Sequence, residues 1–221
     1  MRSDYCDITL VLDRSGSMQP LANDTIGGVN QFLADQRKQP GSATFTLVQF
    51  NSTYEFTHTA KPLAEVPDLT VETYRPSGMT ALRDAMGRAI IETGARLKAL
   101  PEDQRPARVL FVVLTDGEEN SSREVTQEAL KAMVEEQTRV YKWEVLYLGA
   151  NVDAFAQAAA MGIQAAAAAA YGANAIGLNT ALHTASKNVM RSRTAAMAGD
   201  NSVSMAYTSD EREKLSATVD K

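Results

Sequence analysis

The sequence predicts an open, mostly parallel α/β sheet, doubly wound, with helices on both faces and one antiparallel edge strand. Three observations carry that prediction. Short, almost uniformly apolar runs at residues 8–12, 109–114 and 144–148 have the character of strands buried on both faces. Segments with helical apolar spacing lie between them, so strands and helices alternate along the chain. Finally, the first and central runs lead directly to aspartates, Asp13 and Asp116, as strands do when their carboxyl ends carry a ligand site.

Each element has its own local reason. After the first strand, residues 21–38 place Ile26, Val29, Phe32 and Leu33 on one helical stripe, and Pro40 with Gly41 stops the helix. Gly27 and Gly28 weaken it by about 1 kcal/mol each, which points to close packing there. Residues 44–50 form the second strand, and "FNST" turns the chain. Tyr54, Phe56 and His58 then alternate with Glu55, Thr57 and Thr59, the period of an antiparallel strand with one wet face at the sheet edge. Residues 80–100 form the best helix, with Leu82, Met86, Ile90 and Leu97 on one stripe and Pro101 at its end. The central strand ends at "TDGEEN". A helix over 124–140 follows, then the strand that ends in "GAN", where Asn151 and Asp153 stand at the rim and Asp153 is placed to cap a short helix closed by Gly162.

Beyond Gly162 the pattern weakens. Residues 165–170 are all alanine, expected to be a helix or a small-residue packing surface. Residues 179–197 have helical spacing, with Leu182, Ala185 and Val189 on one side and Lys187, Arg191 and Arg193 on the more polar one. A short strand is expected at 203–207 in a polar tail. The chain therefore divides into a core at 1–162 and a C-terminal extension at 163–221, helical and either packed on the core or used in assembly.

Length and composition limit the function classes. The 221 residues suffice for one α/β domain, and 44% hydrophobic with 22% charged residues is ordinary for a globular protein. A net charge of -5 gives no basic footprint for nucleic acid and fits an anionic membrane surface poorly. Cys6 is the single cysteine, so an intramolecular disulfide is impossible and thiolate zinc sites are disfavoured; His58 and His183 lie far from the acidic motifs. The apolar run near the amino terminus is too short for a signal peptide, and no stretch approaches a transmembrane span, so a soluble cytoplasmic protein is expected.

The chemistry gathers at the strand ends. In "VLDRSGSMQP" the first strand runs into Asp13, Ser15 and Ser17; "PSGMTAL" places Thr80 at the start of the long helix; "TDGEEN" supplies Asp116. If the two aspartate-ended strands are neighbours, two carboxylates and three hydroxyls converge, the all-oxygen set that a small hard cation such as magnesium prefers. Singly, each motif has a plainer reading: Asp13 to Ser17 and Thr80 as helix caps, "TDGEEN" as a turn, Glu118 and Glu119 as solvated side chains. Asp84 is expected to support the loops or the positive end of its helix.

"DRSGSM", "SGMTAL" and "TDGEEN", in that order, resemble the three metal-site loops of the von Willebrand factor type A domain family, including its D-x-S-x-S motif. The resemblance covers roughly residues 7–162. It implies a Rossmann-like fold with an intact metal-ion-dependent adhesion site, in which Ser15, Ser17 and Thr80 are direct or switchable ligands and Asp13 and Asp116 reach the ion through water. It further implies Mg2+, with Mn2+ or Ca2+ as substitutes, and a partner protein that donates an Asp or Glu carboxylate. Cytoplasmic members of the family serve AAA+ ATPases and larger assemblies, so a bacterial or phage-type chain with a separately encoded ATPase or assembly partner is implied. The rival readings are a magnesium-dependent phosphoryl-transfer enzyme and a structural component of a larger assembly. The first lacks a P-loop, a second acid two residues after Asp13 and a strand-end lysine.

Overall fold

The computed structural model describes residues 1–150 and 153–219, so Asn151 lies outside the described residues. Among these residues six strands form one sheet: β1 (Arg2–Asp13), β2 (Ser42–Phe50), β3 (Tyr54–Pro62), β4 (Pro106–Thr115), β5 (Glu144–Gly149) and β6 (Ala168–Ala170). Their order is β3-β2-β1-β4-β5-β6. Every pairing is parallel except β2 with β3, whose antiparallel partner closes one edge. The strand order reverses between β1 and β4, which pair in register from Cys6↔Arg108 to Leu12↔Leu114. Asp13 and Asp116 therefore leave the sheet side by side, at the crevice where such folds bind ligands.

The helices are α1 (Ala22–Arg37), α2 (Leu82–Ala99), α3 (Gln127–Arg139), α4 (Ala154–Ala160), α5 (Ala175–Met197) and α6 (Ser209–Ser216). Alternation along β1 and β4 feeds two cores. Ile8, Leu10 and Leu12 pack with Phe32 and Leu33 of α1, Leu182 and Val189 of α5 and Leu215 of α6. Val11, Phe111 and Val113 pack with Met86 and Ile90 of α2, Leu130 and Val134 of α3 and Ala158 of α4. Apolar residues on both faces of the central strands explain their uninterrupted hydrophobic sequence. No helix among the described residues is long and apolar enough to cross a membrane.

Close packing accounts for one of the two α1 glycines. A Cβ on Gly28 would sit 2.4 Å from Leu182 Cδ1, where α1 crosses α5, whereas a Cβ on Gly27 would meet nothing within 4 Å.

The polyalanine run is not an α-helix; its second half is a small-residue packing surface, in the form of a strand. Residues Ala165–Ala167 form a single 3-10 turn, and Ala168–Ala170 form the sixth strand, paired Tyr147↔Ala168 to Gly149↔Ala170. Small side chains let this strand lie fully buried between β5, α4 and α6. The strand expected at 203–207 does not form. Its backbone polar groups are taken by other partners: Met205 N donates to Glu144 Oε2, Tyr207 N to the Ala166 carbonyl, and the Ala206 carbonyl accepts from Arg191.

Candidate metal centre

Three loops meet at the carboxyl ends of β1 and β4. The first leaves β1 through Arg14 and enters a 3-10 turn at Gly16–Leu21. The second carries Thr80 into α2, and the third follows β4. Backbone bonds tie them together: Gly16 N donates to the Gly78 carbonyl at 3.0 Å and Ser77 N to the Arg14 carbonyl at 2.8 Å. Asn120 N donates to the Thr80 carbonyl at 3.0 Å, and Thr80 N donates to Asn120 Oδ1 at 2.9 Å. Gly78 has φ +76°, a left-handed conformation that glycine adopts without a Cβ penalty, and this turn brings the second loop against the first.

Within this frame the five expected residues come together. Asp13 is fully buried; its Oδ1 accepts from Ser15 N at 2.7 Å and its Oδ2 from the Thr115 hydroxyl at 2.5 Å. The Ser15 and Ser17 hydroxyls share a hydrogen bond at 3.0 Å, and Ser17 Oγ donates to Asp116 Oδ1 at 2.7 Å. Thr80 closes the cluster from the other side: a Cβ placed on Gly117 would lie 3.3 Å from Thr80 Oγ1 and 3.6 Å from Ser17 Oγ. A side chain at Gly117 would press on both hydroxyls.

The helix-capping alternative does not describe these side chains. Ser15 precedes the 3-10 turn without a side-chain capping bond, and the residue at the N-cap of α2 is Ala81, likewise without one. The hydroxyls point into a shared cluster.

The electrostatics of the cluster call for a cation. Burial pushes Asp13 up to about 6, against the lowering effect of the bonds from Thr115 and Ser15, with the Asp116 charge adding to the rise. Burial also raises Asp116, opposed by the Ser17 bond. Among the ion pairs of the described residues none involves Asp13 or Asp116; the neighbouring Arg14 pairs with Glu55 at 3.1 Å. Nor do the described residues contain a group of three or more His, Cys, Asp or Glu side chains able to hold a metal. Two carboxylates and three hydroxyls without a basic partner form a hard-oxygen set, which fits a magnesium-class ion and not a thiolate or imidazole metal.

Several supporting residues escaped the sequence reading. Thr115 donates its single hydroxyl proton to Asp13 and accepts from the Gly117 N–H at 3.2 Å. A hydroxyl at the end of an apolar strand was its only signal. Tyr74 donates to the Asp13 carbonyl at 2.6 Å. Burial, with the Asp13 and Asp116 charges adding, drives its phenol well above the usual range and keeps it a donor. Glu119 is not a solvated side chain. It accepts from Ser121 N, Ser122 N, Ser122 Oγ and Arg83 N, so a turn and the first turn of α2 converge on it. Asp84 supports the loops as expected, accepting from the backbone N–H groups of Arg123, Glu124 and Val125 at 2.8, 3.0 and 2.8 Å.

No curated protein matches the chain by sequence. Solved structures do match the fold. Proximal thread matrix protein 1 from the mussel byssus, in a structure described as having a zinc-occupied MIDAS motif, aligns at 15% identity and TM-score 0.56, covering 84% of this chain and 46% of that one. The ArnB paralog VWA2 from Sulfolobus acidocaldarius aligns at 14% identity and TM-score 0.52, covering 83% and 45%. The pilus adhesin SpaC from Lactobacillus rhamnosus GG aligns at 16% identity and TM-score 0.58, covering 85% and 31%. The chain thus spans less than half the length of each of these proteins. The family model for the von Willebrand factor type A domain matches residues 7–220, nearly the whole chain and well past Gly162. With the strand order, the three loops and that match in hand, the chain belongs to the von Willebrand factor type A domain family, a family of metal-dependent adhesion and protein-interaction modules.

Proposed function

We propose that the chain is a metal-dependent protein-binding module and not an enzyme. Its site would hold a magnesium-class ion on the Ser15, Ser17 and Thr80 hydroxyls, with Asp13 and Asp116 acting through water. The observation that carries this reading is the convergence of those hydroxyls beside the buried Asp13 and the half-buried Asp116, neither of which has a basic partner among the described residues. When bound, the ion supplies a positive charge that attracts an Asp or Glu carboxylate from another protein. The chain's own residues do the rest. Neutral hydroxyls offer oxygen without cancelling the charge, Asp13 and Asp116 supply the negative potential that draws a cation in, and the tied loops keep the donors in place.

The zinc-occupied site named for the mussel protein supports a divalent ion at this kind of centre, and the adhesin named among the similar structures supports a binding role. Mg2+ is the proposed ion, with Mn2+ and Ca2+ as substitutes. The proposed partner is an AAA+ ATPase or an assembly component in the cytoplasm of a bacterial or phage system. Phosphoryl transfer is not favoured, because among the described residues no lysine or arginine pairs with either carboxylate to neutralise a phosphoryl group.

The test is capture of partner proteins by the immobilised chain in magnesium and in EDTA, with Asp13→Ala as the control. Capture that needs magnesium and is lost in the variant is expected. Equal capture in EDTA, or by a folded Asp13→Ala chain, would make the site structural only.

A further inference from the structure

Two buried tyrosines stand directly beneath the metal-site loops. The Tyr74 hydroxyl donates to the carbonyl of Asp13, the last residue of β1, at 2.6 Å. The Tyr171 hydroxyl donates to the carbonyl of Thr115, the last residue of β4, at 3.3 Å. Both side chains are sealed from solvent, with 2% and 0% exposure. They arrive from opposite parts of the chain. Tyr74 lies in the segment between β3 and α2 that leads to Thr80, while Tyr171 follows β6 directly.

Each tyrosine is itself anchored. The segment bearing Tyr74 is held to α1 by a reciprocal pair: Asn30 Nδ2 donates to the Leu69 carbonyl at 2.9 Å, and Leu69 N donates to Asn30 Oδ1 at 2.7 Å. Gln49 Nε2 of β2 donates to the Thr73 carbonyl at 2.9 Å. On the other side, Tyr171 N donates to the Gly149 carbonyl at 3.0 Å, and Gly172 N donates to Thr218 Oγ1 at 2.9 Å. Gly172 packs so closely on the Thr218 backbone that a Cβ there would lie 1.9 Å from the Thr218 carbonyl oxygen. The two pinned strand ends are joined to each other by the 2.5 Å bond from the Thr115 hydroxyl to Asp13.

We propose that Tyr74 and Tyr171 are positioning residues for the metal site: their hydroxyls fix the backbone roots of the first and third loops, so that affinity for a divalent ion depends on both although neither is a ligand. This rests on the metal-binding reading above. The physical reason is tolerance. Magnesium demands near-ideal octahedral geometry at short distance, whereas calcium accepts a looser shell. Loosening the roots of two ligand-bearing loops therefore penalises magnesium more than calcium.

The experiment is calorimetric titration of Mg2+ and Ca2+ into the full chain and into Tyr74→Phe, Tyr171→Phe and Tyr207→Phe, with thermal unfolding of each in EDTA. Phenylalanine keeps the ring packing and deletes only the hydroxyl. Tyr207 is the control, because its buried hydroxyl has no hydrogen-bond partner among the described residues. Tyr74→Phe and Tyr171→Phe are each expected to weaken Mg2+ binding by about three- to tenfold, the range of one lost hydrogen bond, and to lower the preference for Mg2+ over Ca2+. Tyr207→Phe should leave both unchanged. If Tyr74→Phe and Tyr171→Phe melt earlier but keep the Mg2+ affinity and ion preference of the unmodified chain, they are ordinary core residues and the inference falls. If the unmodified chain binds neither ion, the proposed function falls first and takes this inference with it.

Discussion

The Thr115 hydroxyl donates to Asp13 Oδ2 at 2.5 Å and links the ends of the two central strands through side chains as well as backbone. A buried carboxylate that accepts this bond and one from Ser15 N has a single orientation, so its charge is held where the hydroxyl cluster needs it. Thr115→Val preserves shape and removes the donor. Divalent-ion affinity should fall roughly tenfold, the lower end of what loss of an outer-shell partner costs, while the fold is retained. Titration calorimetry alongside circular dichroism checks both halves of that expectation.

The raised Asp13 pKa gives the metal-free chain an unusual pH dependence. Folding lifts this carboxyl from 3.8 to about 6, mainly by burial, so the folded state binds its proton more tightly than the unfolded state does. The associated stability is fully present below about pH 4 and is lost as pH rises through about 6, a change of at most about 3 kcal/mol. Asp116, also raised, acts with the same sign. In EDTA at neutral pH, Asp13→Asn should therefore be more stable than the natural chain. A bound cation favours the charged form, so the stabilisation by magnesium should grow between about pH 5 and pH 7. Melting curves with and without magnesium across that range would expose an opposite slope.

Asp84 should matter more to the fold than its position on a helix surface would imply. Its carboxylate is 6% exposed and accepts three consecutive backbone N–H groups from residues 123–125. Asp84→Ala strands those donors and should cost about 3 kcal/mol or more in urea unfolding, since each buried unsatisfied group costs about 1–3 kcal/mol. A loss no greater than that of an exposed-surface substitution would show that water replaces the carboxylate.

Two helical glycines should respond with opposite signs to alanine. At Gly27 of α1 a Cβ meets nothing, so Gly27→Ala should stabilise the chain by up to about 1 kcal/mol through helix propensity. At Gly177 of α5 a Cβ would lie 2.1 Å from the Gly172 carbonyl oxygen, a backbone atom that cannot rotate away. Gly177→Ala should destabilise by roughly 2 kcal/mol or more, an overpacking cost. Paired denaturation curves decide it.

Much of this protein was written locally. Uniform apolar runs at β1, β4 and β5 read as strands with both faces covered, and the period of two from Tyr54 onward reads as a half-wet edge strand; the sheet has both. The five oxygen donors sit in short motifs directly after strands or before a helix, so placing those elements placed the donors. What the tertiary structure alone decided are features whose stabilising partners lie far away in sequence. Alanine has no strand preference of its own, and Ala168–Ala170 become β6 because Gly149 and its neighbours offer a free sheet edge in a space too narrow for larger side chains. Residues 203–207 have strand composition, yet Arg191, Glu144 and Ala166 capture their backbone groups before any sheet edge can. Glu119 reads as a solvated acid until Arg83 and Ser122 close around it, and Tyr74 and Tyr171 read as core aromatics until their hydroxyls reach Asp13 and Thr115. Local periodicity reports which face of a segment is buried; the partner of a single polar atom depends on which distant segment folding brings within about 3 Å of it.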